Sequence, residues 1–383
     1  MSSQPRILFL RSNPIAPDPR VEKEARTLAS AGYDVRVLGW DRTAKLSSFE
    51  GRDGFDVIRL PIRTEFGRGL GNFPHLLRWQ WGLWRYLASH HTQYDILHAC
   101  DFDTILPALF ASFLWKKRIV YDIFDFYADH LRRTPDWIMD LIRRVDLWAV
   151  SKVDTVILVD DSRREQIRHT KPRRVDVIYN SPEDTEACLT PELDVYLSDS
   201  HLRLAYIGLL QVERGLLEML DVLHRHPDWN LVMAGFGGDQ EQILKLVKEL
   251  PNVVFLGRVS YERALRISAA ADVLFATYNP EIPNHRYSSP NKVFEAMMLG
   301  KPIVVARGTN MDRIIEENDC GLVVEYGNVD GLENSLARLA NEPSLRRRLG
   351  ERARLTYKNT YSWHLMQKRL FALYEELLHS SHA

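Results

Sequence analysis

Lys292 and Glu295 stand three residues apart in the stretch 287–302, which reads Y-S-S-P-N-K-V-F-E-A-M-M-L-G-K-P. On a helix that spacing puts an ammonium and a carboxylate on one face. Ser289 has N-cap chemistry, and Pro290 suits the first helical position, where its missing N–H costs nothing. Val293, Phe294, Ala296, Met297 and Met298 supply an apolar face, Gly300 stops the helix, and Ile303-Val304-Val305-Ala306 reads as a short buried strand. The free amides at a helix start, with Asn291 and a lysine beside them, make a ready site for a phosphate. A carboxylate one turn further in accepts hydrogen bonds from a diol such as a ribose. The same residues also compose a capped amphipathic helix with a solvent-facing ion pair, and spacing alone does not choose between the two.

The stretch resembles the donor-nucleotide motif of retaining GT-B glycosyltransferases, family 4, in which a helix reading S/N-P-x-K-x-x-E-x-M-x-x-G-x-P cradles a nucleotide diphosphate sugar. The resemblance implies an α/β fold of the GT-B type, two Rossmann-like domains with parallel sheets facing a central cleft, the donor on the second domain and the acceptor on the first. It implies retaining, metal-independent transfer of a hexosyl unit from a UDP or GDP sugar, with no cofactor, to a glycan or lipid-linked acceptor in cell-surface polysaccharide biosynthesis. Two departures stand out. Glu295 fits the second of the family's two spaced glutamates, but Tyr287 occupies the first place, as in an S-P-N-K subset. Where many relatives read Y-D-x-H-E, this chain reads Tyr121-Asp122-Ile123-Phe124-Asp125. Two alternatives remain beside catalysis of transfer: a degenerate nucleotide-sugar-binding partner protein, and a GT-B epimerase acting on the donor alone.

Carried over residue by residue, the resemblance assigns Arg214, beside Gly215, to the diphosphate together with Lys292; a planar guanidinium can bond two phosphate oxygens at once. Glu295 takes the ribose, and Ser289, Pro290 and Asn291 form the helix start against the phosphates. Gly235, Phe236 and Gly237 lie in a glycine loop that allows close backbone approach to a ligand. Arg258 falls in the segment set against the base, and Asn284 in the loop expected to meet the donor sugar. His98 and Asp101, in an H-A-x-D segment, and Arg20, in a D-P-R-V segment, are assigned to substrate; a lone histidine such as His98 is more often structural, and Arg20 also reads as a surface residue at a helix start. Asp125 is the guess for a catalytic base. Asp101-Phe102-Asp103 spells a metal clamp but lies in the H-A-x-D context, so no metal is expected.

Strands and helices must hold these residues. Apolar runs at 6–10, 33–39, 57–60, 118–121, 154–159 and 175–180, with a strand running into a loop over 95–101, read as strands of a first half, and those at 202–207, 231–234, 253–256, 272–277, 303–306 and 321–324 as strands of a second. Strand, turn, helix, strand opens the chain as a βαβ unit, but no G-x-G-x-x-G follows its first strand, so a dinucleotide site is unsupported. The polar, acidic stretch 181–200 reads as a linker. The expected domains are 1–183, 200–358, and a terminal helix over 359–383 crossing back to the first.

Composition narrows the class. The 383 residues suit two domains, and Lys+Arg 50 against Asp+Glu 51, net −1, argue against nucleic acid as a partner. Cys100, Cys188 and Cys320 are widely separated, which fits a reducing cytoplasm. The apolar run at 7–10 is too short for a signal peptide, and no stretch reaches the about 18 apolar residues of a membrane span. Trp79, Trp81 and Trp84 with Arg78 and Arg85 form either a core helix with some exposed Trp or an interfacial one. With Trp115-Lys116-Lys117-Arg118, Arg132, Arg133, Arg143 and Arg144, they predict peripheral contact with the inner face of the plasma membrane.

Overall fold

The computed structural model describes residues 4–64, 73–131, 134–185, 190, 192 and 201–379. The glycine-punctuated segment beyond Thr64, Arg132, Arg133, Cys188 and most of the expected linker lie outside the described residues. The chain divides into two compact units, one of Met1–Tyr179 with Met366–Ala383, the other of Asn180–Leu365.

Unit 1 contains β1 (Arg6–Arg11), α1 (Pro19–Ser30), β2 (Asp34–Asp41), β3 (Phe49–Arg52), β4 (Phe55–Pro61), α2 (Phe73–Ser89), β5 (Ile96–Cys100), α3 (Phe102–Trp115), β6 (Arg118–Ile123), α4 (Asp136–Val150), β7 (Thr155–Leu158) and β8 (Val175–Val177). The sheet order is β3-β4-β2-β1-β5-β6-β7-β8, parallel throughout except for the edge pair β3–β4. Helices cover both faces of such a sheet, which is why β1 and β5 are unbroken apolar runs rather than alternating ones. Asp18 caps α1 by accepting from the amide of Val21 (3.3 Å), and Val21, Ala25 and Leu28 bury one face. Trp79 is buried and stacks on Trp40 with ring centres 5.2 Å apart.

Unit 2 contains β9 (Leu202–Leu209), α5 (Leu216–Arg225), β10 (Trp229–Phe236), α6 (Gln240–Val247), β11 (Val253–Phe255), α7 (Tyr261–Ala270), β12 (Val273–Ala276), α8 (Pro283–Arg286), α9 (Asn291–Met298), β13 (Ile303–Ala306), α10 (Met311–Asn318), β14 (Gly321–Val324), α11 (Val329–Asn341) and α12 (Pro343–Thr356). Its six strands run parallel in the order β11-β10-β9-β12-β13-β14. Chain order reverses between β9 and β12, as it does between β1 and β5 in unit 1. In open α/β sheets the crevice beyond the carboxyl ends of the strands at such a reversal takes the ligand. The last helix, α13 (Trp363–His379), contributes residues from Met366 onward to unit 1. There Arg369 donates to the carbonyl of Val177 (3.0 Å), and the Tyr374 hydroxyl lies 2.6 Å from His98 Nδ1.

Candidate functional site

In unit 2 the site residues follow the carboxyl ends of β9 and β12. After β9 a single turn over Val212–Arg214 closes at Gly215, whose φ is +71°. A Cβ there would lie 2.1 Å from Thr277 Oγ1 and 2.5 Å from the Thr277 carbonyl, so only glycine lets the two segments pass. That passage sets the Arg214 guanidinium 4.1 Å over the ring of Tyr278, which is 2% exposed. The Lys292 ammonium rests 3.6 Å over the ring of Tyr206 and 5.7 Å from that of Tyr278. The two cations thus share a floor of two buried tyrosines. Gly208, at the end of β9, completes it: a Cβ at this position would lie 2.7 Å from Lys292 Nζ.

Electrostatics mark the pair. Burial pushes the Lys292 ammonium well below its ordinary range, the Arg214 charge adds to this, and Glu295 opposes it. Burial also works against the Arg214 charge, but Tyr278 and Tyr206 outweigh it and hold the guanidinium protonated. The Glu295 carboxylate accepts a hydrogen bond from the Tyr261 hydroxyl. Arg214, Lys292 and Glu295 therefore belong to one electrostatic cluster.

Helix α9 begins one residue later than its sequence suggests. Pro290, with φ −75° and ψ 143°, is the cap residue rather than the first helical one, and its carbonyl accepts from the amide of Val293 (3.1 Å). Ser289 is buried, its carbonyl accepts from Asn180 Nδ2 (3.4 Å), and it stands one residue before the cap position expected for it. The helix ends in a Schellman motif: Lys301 and Gly300 donate to the carbonyls of Ala296 (2.9 Å) and Met297 (3.2 Å). Asn291 and Lys292 thus occupy the first turn, where amides are unpaired within the helix.

The remaining unit 2 candidates ring the same strand ends. Gly235 and Gly237 pack on the end of β9 and the residue that follows it, since Cβ atoms there would lie 1.8 Å from the Gly208 carbonyl and 2.2 Å from that of Leu210. Phe236 is 45% exposed, and the Arg258 guanidinium lies 3.7 Å over its ring, which makes an open planar surface. Asn284 lies on α8, where the neighbouring His285 packs on Tyr278 with ring centres 5.2 Å apart.

Unit 1 corrects one expectation. Arg20 is not the surface residue that its place at a helix start suggests: it is 7% exposed, pairs with Asp122 (2.9 Å) and Glu24 (3.2 Å), and donates to the Ile178 carbonyl (2.8 Å). His98 is fully buried, stacked on Phe9 and 3.5 Å from Asp122, as a structural histidine is. Both lie in short sequence motifs, and an inward turn of a side chain leaves no mark in such a motif. His98, Cys100 and Asp122 form a group of three potential metal ligands, but Arg20 already holds Asp122.

Asp101 sits at the β1/β5 reversal with φ +63°, a conformation costing about 1–3 kcal/mol for a non-glycine residue. Its carboxylate repays the strain by accepting from the amides of Phe124 (2.8 Å) and Asp125 (3.4 Å) and by pairing with Arg11. Burial, with Asp103 and Asp125 nearby, raises its pKa to about 6 against the pull of Arg11. Asp125 pairs with the buried Arg163 (2.6 Å), which occupies the carboxylate proposed as a base. Arg11 also lies 4.2 Å over the Phe124 ring, so the slot that a histidine fills in relatives holds an aromatic gripped by a guanidinium. Sequence reasoning missed Arg11, Glu24, Tyr206 and Tyr278; the tyrosines sit in or just beyond apolar strands, where an aromatic reads as core.

The profile of the family Glycosyl transferases group 1 matches residues 198–356, and that of the Glycosyl transferase 4-like domain matches residues 17–181, so the two together span most of the chain. A GDP-mannose-dependent monoacylated alpha-(1-6)-phosphatidylinositol monomannoside mannosyltransferase of Corynebacterium glutamicum is 28% identical over 40% of this chain and 40% of its own length. The chain spans less than two thirds of the curated relatives it first matches. Among solved structures, sucrose-phosphate synthase from Thermosynechococcus elongatus superposes with a TM-score of 0.81 at 17% identity, over 99% of this chain and 100% of the other. Anabaena HepE in complex with UDP and glucose gives 0.73 at 16%, over 96% and 99%. The fold is GT-B.

Proposed function

Because the chain belongs to the Glycosyl transferases group 1 family, we propose that it transfers a hexosyl unit, with retention of configuration, from a nucleoside diphosphate sugar to a glycan or lipid-linked acceptor in cell-surface polysaccharide biosynthesis. The observation that carries this reading is the pair of cations on the Tyr206–Tyr278 floor at the β9/β12 reversal. As the bond from the anomeric carbon to the diphosphate breaks, its electrons stay on the phosphate oxygen. Arg214, Lys292 and the first turn of α9 are placed to offset that charge. The acceptor hydroxyl adds to the anomeric carbon from the same face and gives its proton to the departing phosphate, so no protein nucleophile and no metal ion is required. Glu295 holds the ribose and the Phe236–Arg258 surface lies against the base. Asn284 meets the sugar. HepE with UDP and glucose supports a uridine donor, and the GDP-mannose-dependent relative a guanosine one. We place the protein in the cytoplasm, held peripherally at the inner face of the plasma membrane.

A thermal-shift screen against UDP, GDP and their sugars identifies the donor, because a ligand of the folded state raises its stability. With that donor, Arg214→Ala is expected to lower kcat about 10²–10³-fold, the scale for one lost oxyanion donor. Unchanged turnover removes Arg214 from the chemistry. Phe124 under Arg11, in place of a histidine, favours a second reading, a nucleotide-sugar binder without transfer activity. Donor binding with neither hydrolysis nor transfer, in the presence of a range of acceptors, would establish it.

A further inference from the structure

Two neighbouring helices of unit 1 turn apolar side chains outward. On α2, Phe73, Leu77 and Trp81 follow one another at helical spacing, and Trp81 is 61% exposed. On α3, Leu106, Phe110, Phe113 and Leu114 do the same, and Phe113 is 80% exposed. The stripes are joined, since the Trp84 ring lies 4.7 Å from that of Phe110 and 5.4 Å from that of Trp115. A patch of this kind on a chain with net charge −1 marks an interaction surface.

Charge selects the occupant. Arg78 and Arg85 on α2 and Lys116 just after α3 are exposed; α2 carries no acidic residue and the only one on α3, Asp103, is buried. Arg63, Arg78 and Arg85 line, with Trp81 and Trp84, a groove of about 920 Å³ beside the patch. A second copy of this surface would bring like charges together. An anionic lipid surface instead meets the cations with headgroups and the aromatic rings with the acyl boundary, where Trp and Phe favour residence. We propose that the α2–α3 face of unit 1 docks on membranes containing anionic lipid, with Trp81, Phe110 and Phe113 as the inserted side chains and Arg78, Arg85 and Lys116 as the headgroup contacts. This deepens the reading of a membrane-held acceptor by naming the surface.

The test uses the full chain and vesicles of phosphatidylcholine with or without phosphatidylglycerol, in flotation at low salt, without donor or acceptor. The wild type is expected to float with the anionic vesicles only and to be released by salt. Arg78→Glu with Arg85→Glu should lower the partition coefficient at least tenfold, given about fivefold per cation near such a surface, and Phe113→Ser with Leu114→Ser should separately lower it at least tenfold through lost apolar burial. Both pairs are solvent-exposed, so the thermal midpoint and UDP binding should be unchanged, which separates this proposal from the donor-site reading. Wild type that stays in solution overturns the proposal, as does flotation unaffected by either pair. Concentration-dependent dimerisation lost in Phe113→Ser without vesicle binding assigns the face to a second copy and likewise overturns it.

Discussion

Lys292 has no hydrogen-bond partner among the described residues; its ammonium rests on the Tyr206 ring, an interaction of about 0.5–2 kcal/mol. That makes it the residue on which pH acts. Burial first and the Arg214 charge second lower its pKa in the free protein. A bound pyrophosphate favours the ammonium and raises it again, so the complex holds more protons than the free protein between the two values. By linkage, donor affinity weakens as pH rises through that window. Calorimetry of UDP binding in two buffers of different ionisation heat should reveal proton uptake, and Lys292→Arg, permanently charged, should bind UDP with none. Absence of proton uptake at every pH below the ordinary lysine range would take Lys292 away from the phosphates. At the same scale, Glu295→Ala should weaken donor binding while sparing the fold; unchanged affinity takes Glu295 off the ribose.

The elements divide by how plainly the sequence announces them. Parallel strands buried on both faces must be short continuous apolar runs, and twelve residues or more of crossover must separate them; both marks are visible in β1, β5, β9 and β13. Helix α3 left no helical period because it is apolar nearly all round, with its outer side unburied. The start of α9 was misplaced by one residue because the proline φ serves a cap and a first helical residue equally well. Helix α13 adds a case where one buried polar contact fixes an element: the Tyr374 hydroxyl faces His98 Nδ1 at 2.6 Å in a fully buried site. Tyr374→Phe strands that nitrogen and should destabilise unit 1 by about 1–3 kcal/mol. Hydrogen exchange should rise first over residues 366–379; exchange unchanged there would show that apolar packing alone holds the helix.

Across the whole molecule the donor-side cations were legible because one dense motif carries Lys292 and Glu295, and a strand–turn pattern carries Arg214. The tyrosine floor and the unit 1 charge network were not, because contacts between residues some 70 to 280 positions apart, such as Tyr206 with Lys292 or His98 with Tyr374, leave no local period. The two units respond differently to pH. Among the described residues, the buried acids with raised values all lie in unit 1: burial lifts Glu24 from its ordinary 4.5 to about 8, with Arg20 opposing and Asp122 reinforcing, and burial lifts Asp146 to about 7. Between the ordinary and the raised value the folded unit holds more protons than the unfolded chain, so stability is fully present at low pH and is lost as pH climbs through about 7 to 8. In unit 2, burial notwithstanding, Arg203 holds Asp272 below the usual carboxylate range, so that contribution is already complete near neutrality. Hydrogen exchange followed by mass spectrometry at about pH 6 and about pH 9, corrected for intrinsic rates, should show unit 1 losing protection while unit 2 keeps it. Glu24→Gln, which cannot ionise, should flatten much of the unit 1 response; a response equal in both units, or untouched by Glu24→Gln, would refute the assignment of buried protons to this network.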